Sequence, residues 1–105
     1  MYAMIRQYRM GAGSVHELMH RVDTQFADRL RDQLGLLGYL AIDAGDATIA
    51  TLTLFADEEQ CRRAEPAADN VRRALAAFDV EPLDGLTGEV MVSRTDEQLL
   101  RPIHH

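Results

Sequence analysis

The chain of 105 residues contains no tryptophan and no lysine, and it has one cysteine, Cys61. A single cysteine excludes a disulfide within the chain, and arginine supplies all 11 basic side chains. The chain also has 17 acidic side chains, so its formal net charge at pH 7 is −6. Nucleic acids and anionic membranes are bound by basic surfaces, so neither is a predicted partner.

Long hydrophobic runs are also missing, because no apolar stretch approaches the ~20 residues that span a bilayer. The first nine residues are too short and too charged to be a signal peptide. We therefore expect a cytoplasmic protein. The length predicts one domain over residues 1–95, followed by a polar tail over residues 96–105 that ends in two histidines.

The apolar pattern predicts six elements in the order strand, helix, strand, strand, helix, strand. Residues 2–10 alternate in polarity as a strand does, and residues 89–94 are predicted as the last strand, after a loop over residues 79–88. The first helix begins at the cap Ser14 and ends at Gly35.

The second helix is predicted to be interrupted. Asp57 is a suitable N-cap, and Pro66 removes a backbone donor from any helix that continues through it. We expect a short helix that ends near Ala64 and a new piece with Pro66 in its first turn.

Residues 36–42 and 48–55 are predicted to form a β-hairpin, with Asp-Ala-Gly-Asp over residues 43–46 as the turn. Both arms carry apolar side chains at successive positions, whereas a half-exposed strand alternates apolar with polar residues. Both faces of the hairpin should therefore be covered. Helices can cover one face, and we expect a second copy of the sheet on the other, which predicts a homodimer through the sheet faces.

The segment His16-Glu-Leu-Met-His20 matches the H-E-x-x-H pattern of zinc proteases. On a helical wheel, however, both histidines lie roughly 90–130° from the centre of the apolar stripe, towards solvent. The chain has no histidine between positions 20 and 104 to act as a third ligand, and Glu17 is explained by a capping box with Ser14. We interpret the two histidines as surface residues and predict no metal site.

The chain resembles the antibiotic-biosynthesis-monooxygenase-like proteins, small members of the dimeric α+β barrel superfamily. This resemblance implies an α+β, ferredoxin-like βαββαβ fold with a four-stranded antiparallel sheet, a homodimer whose sheets face one another, and a ligand pocket between each sheet and its helices. Some members oxidise aromatic polyketides without a cofactor, and relatives cleave haem. The resemblance covers residues 1–94 and rests on residues 1–10, 13–14, 36–39, 43–46, 51–57 and 88–90.

This sequence departs from the family at the positions on which those activities depend. The family uses a Trp at the end of the third strand and an Asn or similar residue nearby, where this chain has Phe55 and Thr51. Haem-cleaving relatives use a His on the second helix, where residues 61–64 read Cys-Arg-Arg-Ala. Haem cleavage is therefore not expected, and no cofactor is predicted.

Three functional hypotheses remain. The first is a cofactor-independent oxygenase for an aromatic substrate, with no catalytic residue assigned, in which Arg6 stabilises an enolate or carboxylate. The second is a non-catalytic regulatory module with its ligand at the glycine turn Gly11–Ser14, and the third is a structural dimer without a ligand. The residues predicted to bind a small molecule are Arg6, Tyr8, Tyr39, Thr51, Phe55 and Asn70.

Overall fold

The computed structural model describes residues 1–94, so the predicted tail lies outside the described residues. Within them, no helix combines the length and the apolar character needed to cross a membrane. The elements in chain order are β1 (Tyr2–Met10), α1 (Val15–Arg21), a π-helical segment (Val22–Ala27), α2 (Asp28–Leu34), β2 (Gly38–Gly45), β3 (Thr48–Phe55), α3 (Glu58–Ala74), a 3₁₀ turn (Ala76–Phe78) and β4 (Val80–Glu89).

The four strands form one antiparallel sheet in the order β2-β3-β1-β4. The first strand is central, and its register with β3 runs from Tyr2 opposite Phe55 to Arg9 opposite Thr48. The helices pack on one face of this sheet. This is the ferredoxin-like α+β architecture, and the predicted fold class is confirmed.

The first helical stretch has the predicted ends but not a uniform interior. The hydroxyl of Ser14 accepts a hydrogen bond from the backbone N–H of Glu17 at 3.1 Å, and Gly35 closes α2 in the left-handed conformation with φ 64°. Between α1 and α2 the chain forms the π-helical segment, which the sequence pattern did not predict. Just inside it, the hydroxyl of Thr24 donates to the carbonyl of His20 at 2.8 Å, a bond that commonly bends a helix.

Three predictions of secondary structure are wrong. The hairpin turn lies at Asp46 and Ala47, with φ 52° and 59°, rather than over residues 43–46, because β2 covers Gly38–Gly45 instead of residues 36–42. Helix α3 runs through Pro66 without a break. Pro66 lies on the exposed side of α3, so the carbonyl that loses its partner there can be hydrated. The last strand covers Val80–Glu89 rather than residues 89–94, since pairing with β1 holds this glycine- and proline-containing segment extended.

The core consists of two clusters between the helices and the sheet. One contains Met4, Leu36 and Phe55 together with Cys61 and Ala64 of α3. The other is formed by Met10, Leu18, Ile49, Leu75 and Phe78. Burial of this apolar surface, at about 25 cal/mol per Å², is the main favourable term in folding.

The opposite face of the sheet, here called the outer face, is apolar, and none of the helices within residues 1–94 packs on it. Ile5, Leu40, Ile42 and Leu86 all point to it and are 37%, 41%, 50% and 62% exposed. The helix-covered side is called the inner face. The helices therefore cover one side of the hairpin as predicted, and the other side is left open.

Candidate functional site

A cavity of about 120 Å³ lies between the helices and the inner face, where the two core clusters meet, and it is partly open to solvent. Most of its wall is apolar, and a few polar side chains converge on it. It is lined by Met4, Arg6, Tyr8, Leu18, Met19, Val22, Leu34, Leu36, Tyr39, Ile49, Thr53, Phe55, Ala64, Ala68, Val71, Arg72, Leu75 and Val80.

Arg6 reaches the cavity from the middle of the central strand. Alternation along β1 places it on the same face as the buried Met4, whose sulfur lies 3.0 Å from Nε of Arg6. Its guanidinium lies 3.6 Å from a carboxylate oxygen of Glu65 on α3, and the Arg6 side chain is 32% exposed. Arg6 is therefore a half-buried cation at the edge of the cavity.

Two phenols line the cavity beside Arg6. Burial raises the pKa of Tyr39 to about 12, and proximity to Tyr8 adds to that rise. Burial also raises the pKa of Tyr8, while the positive charges of Arg6 and Arg72 act against the increase. Both tyrosines are neutral at pH 7 and can donate a hydrogen bond to a ligand.

A second cation stands on α3. Arg72 lines the cavity, is paired with Asp69 at 3.6 Å and has a side chain that is 40% exposed. Glu65, Asp69 and Arg72 are separated by four and then by three residues along α3, so all three lie on one side of that helix. The polar edge of the cavity thus consists of two arginines, each with an acidic partner on α3.

Thr53 is the polar residue that the sequence analysis missed. It is 8% exposed, lies opposite Tyr39 on β2 and Met4 on β1, and borders the cavity. The predicted residue Thr51 has the same parity on β3 and lies opposite Arg6, but it does not line the cavity. The alternation on β3 gives both threonines the same face, and only the position of the helices above them distinguishes the two.

The structure brings four of the six predicted residues together. Arg6, Tyr8, Tyr39 and Phe55 all line the cavity, and Phe55 is the most deeply buried of them at 1% exposure. Asn70 instead lies on the exposed side of α3, outside the cavity. Its neighbours Val71 and Arg72 turn inward in its place.

A second concave region, here called the β4 groove, lies between the inner side of β4 and α3 and has a volume of about 420 Å³. It shares Met4, Arg6 and Tyr8 with the cavity, so the two spaces meet at these side chains. The groove is lined in addition by Gln7, Glu65, Pro82, Leu83, Asp84, Gly85, Leu86 and Thr87.

The glycine turn after β1 is occupied by the protein itself. The N–H of Gly11 donates to the carbonyls of Phe78 and Asp79 at 3.2 and 3.0 Å, and the N–H of Ala12 donates to Phe78 at 3.1 Å. Ser14 is engaged in capping α1. The N–H groups of Gly11 and Ala12 and the hydroxyl of Ser14 are therefore already engaged within the protein.

The other chemical candidates have structural explanations. His16 and His20 are both exposed on α1, and residues 1–94 contain no cluster of three metal-ligating side chains. Cys61 is 3% exposed within the core, and burial raises the pKa of its thiol, which disfavours the reactive thiolate. Cys61 is therefore a packing residue in this arrangement.

Solved structures share this fold at low sequence identity. A dimeric ferredoxin-like protein from an uncultured marine organism has a TM-score of 0.71 at 12% identity, with 91% of this chain and 100% of that chain covered. HapK from Hahella chejuensis has a TM-score of 0.67 at 12% identity over 91% of this chain and 98% of its own. A NIPSNAP-family protein of unknown function from Agrobacterium tumefaciens has a TM-score of 0.54 at 19% identity over 92% of both chains.

These likenesses support the ferredoxin-like fold over nearly the whole chain. No protein-family profile matches the sequence, and no curated protein matches it either. At such identities a shared fold carries no shared activity, because ferredoxin-like domains host many unrelated functions.

Proposed function

We propose that this protein binds a small aromatic molecule that carries an oxygen anion, and that it works as a homodimer. The observation that carries the proposal is the convergence of a few polar side chains, namely Arg6, Arg72, Tyr8, Tyr39 and Thr53, on one largely apolar cavity. An apolar space with a few convergent polar groups is the usual form of a small-molecule site.

The volume indicates the size of the ligand. The cavity of about 120 Å³ is close to the ~150 Å³ apolar cavity that accepts benzene in an engineered protein. One aromatic ring is therefore the body that this space accommodates. Met4 and Met19 in the wall are flexible and have polarisable sulfur atoms, which favour contact with a ring.

The polar edge indicates the chemistry of the ligand. Arg6 has five N–H donors, of which its contacts with Met4 and Glu65 use few. A carboxylate or phenolate at this edge would accept hydrogen bonds from Arg6 and from the neutral Tyr8 and Tyr39. Such charge-assisted bonds are roughly twice as strong as neutral ones.

The outer face supports a homodimer. Its exposed side chains Ile5, Leu40, Ile42 and Leu86 form an apolar surface on a sheet that helices cover only on the other side. Large exposed apolar patches on a small domain commonly mark an interface. A second copy presents the same surface, so the two outer faces can pack against each other around a two-fold axis.

The resemblance to the antibiotic-biosynthesis-monooxygenase-like proteins suggests that the ligand is oxidised by O₂ without a cofactor. In such a reaction the substrate itself supplies the four electrons, as when a hydroquinone and O₂ give a hydroxyquinone and water: one oxygen atom enters the ring, and the other leaves as water with two hydrogen atoms of the substrate. Arg6 is the residue placed to stabilise the substrate anion that reacts with O₂. Binding without oxidation would instead favour the non-catalytic ligand-binding function.

Binding is tested by calorimetric titration with salicylate, a single ring with adjacent carboxylate and hydroxyl groups. We expect Arg6→Ala to weaken binding by roughly ten- to a hundred-fold, the loss of one charge-assisted interaction. Arg9→Ala is the matched control, because Arg9 lies on the same strand with its side chain exposed on the outer face. Equal affinity of the wild type and Arg6→Ala would overturn the site.

Oxidation is tested separately by O₂ consumption with methylhydroquinone in the presence of a metal chelator. A rate above that of the protein-free solution, reduced by Arg6→Ala but not by Arg9→Ala, would support catalysis. A rate equal to that of the solution, with salicylate binding intact, would leave the non-catalytic function in its place.

A further inference from the structure

The β4 groove stays open because the inner side of β4 carries little side-chain bulk. Gly85 lies directly opposite Arg6 in the register of β1 and β4, and Thr87 lies opposite Met4. A Cβ built on Gly85 would lie 3.4 Å from the carbonyl oxygen of Ile5 and 3.6 Å from Cγ of Arg6, both ordinary contacts. No steric clash therefore requires glycine at this position, and its effect is to leave space beside Arg6.

The groove continues from the cavity. Met4, Arg6 and Tyr8 form the boundary between the two spaces, and Arg6 contributes to both. A ligand whose ring fills the cavity and whose anion contacts Arg6 would therefore have its next substituent directed into the groove.

The lining of the groove indicates what that substituent is. Glu65 supplies a carboxylate acceptor, Arg6 supplies donors, and the hydroxyl of Thr87, which lies opposite Met4 on the inner side, can do both. The positive charge of Arg6 and the negative charge of Glu65 lie close together, so the groove favours neither a cationic nor an anionic substituent. Neutral hydroxyl groups, which donate and accept at once, match this mixture.

We infer that the ligand is an aromatic ring bearing a neutral, hydroxyl-rich substituent such as a sugar, with the ring in the cavity and the hydroxyl groups in the β4 groove. This inference rests on the proposed function, since it extends the same site. It narrows the ligand class from a simple aromatic acid to a glycosylated or polyol-bearing one.

The test compares salicylate with salicylate 2-O-β-glucoside, in which the carboxylate and the sugar are on adjacent ring positions. We expect the glucoside to bind at least about five-fold more tightly than salicylate, because the sugar adds one or two net hydrogen bonds. Gly85→Val should abolish this gain and leave the affinity for salicylate within about two-fold, because valine fills the groove and suits a strand. Gly88→Val, on the same strand but on its outer side, is the matched control.

Each outcome decides between the two proposals. Binding of salicylate with equal or weaker binding of the glucoside would overturn the inference and leave the cavity site in place. Failure of both compounds to bind would overturn the proposed function and the inference with it. A gain for the glucoside that survives in Gly85→Val would also overturn the role of the groove, since the sugar would then lie elsewhere.

Discussion

The guanidinium of Arg6 on the central strand lies 3.6 Å from the carboxylate of Glu65 on α3, at the place where the cavity and the β4 groove meet. The pair connects the sheet to the helix above it, and the two side chains are 32% and 54% exposed. At such exposure the ion pair contributes little to folding, of the order of 0–1 kcal/mol. Its effect should instead be on the ligand, because Glu65 competes for the cation that the ligand anion requires.

Replacing Glu65 by Gln should therefore strengthen salicylate binding by about three-fold, since Arg6 no longer has a competing carboxylate. The free energy of unfolding should change by less than about 1 kcal/mol. The control is Glu59→Gln, which removes an exposed carboxylate paired with Arg63 away from the site. Calorimetric titration of the three proteins measures the difference, and weaker binding by Glu65→Gln would contradict the assigned role.

Tyr39 should make the stability of the protein sensitive to alkaline pH. Its pKa is raised from 10.0 to about 12 in the folded protein, chiefly by burial. The folded state therefore holds this proton more tightly than the unfolded state, so the associated stability is complete below pH 10 and is lost as pH rises towards 12. At about 1.4 kcal/mol per pKa unit, the contribution is about 3 kcal/mol.

Urea denaturation at pH 9 and pH 11.5 provides the measurement. Tyr39→Phe should reduce the loss of stability between these two pH values, because phenylalanine has no proton to lose. Tyr2→Phe, at the start of β1, serves as the control substitution. The same pH-dependent loss in the wild type and in Tyr39→Phe would show that other groups cause it.

Phe55 is the last residue of β3, and it is 1% exposed. Truncation to alanine removes most of a buried ring, which typically costs about 3–5 kcal/mol of unfolding free energy. Leu37→Ala, at a residue that is 53% exposed, should change it by less than about 0.5 kcal/mol. Urea denaturation compares the two, and a cost below about 1 kcal/mol for Phe55→Ala would show that the wall of the cavity is not tightly packed.

The elements whose local pattern agrees with their packing were predictable from the sequence. Residues 48–55 are rich in β-branched and apolar side chains and follow a turn, and β3 covers the predicted range. In β4 the local signals and the packing disagree, because Pro82 and Gly85 are typical of a loop. They are tolerated since β4 is an edge strand that pairs on one side only, and the register with β1 is irregular between Gln7 and Tyr8, next to Pro82.

In the candidate site, too, some residues were predictable from local pattern and others depend on packing. Strand alternation gave Arg6 and Tyr8 the same face as the buried Met4, so sequence reasoning could group them. It could not separate Thr51 from Thr53, because both have the same parity and only the helix above them decides which one borders the cavity. Asn70 was predicted to bind the ligand but lies on the exposed side of α3, whereas Arg72 lines the cavity.

The outer face gives a prediction that does not depend on any ligand. Leu86 is 62% exposed on the edge strand β4 and lies opposite Ile5 of β1, at one side of the apolar surface. If two outer faces pack together, Leu86→Glu places one carboxylate from each copy in the interface, where both must be desolvated without a partner. We expect this variant to be monomeric by light scattering coupled to size-exclusion chromatography, with the wild type dimeric under the same conditions. Gln33→Glu, which adds the same charge on the exposed surface of α2, should remain dimeric. A monomeric wild type, or a dimer that persists in Leu86→Glu, would show that the outer face is not the interface.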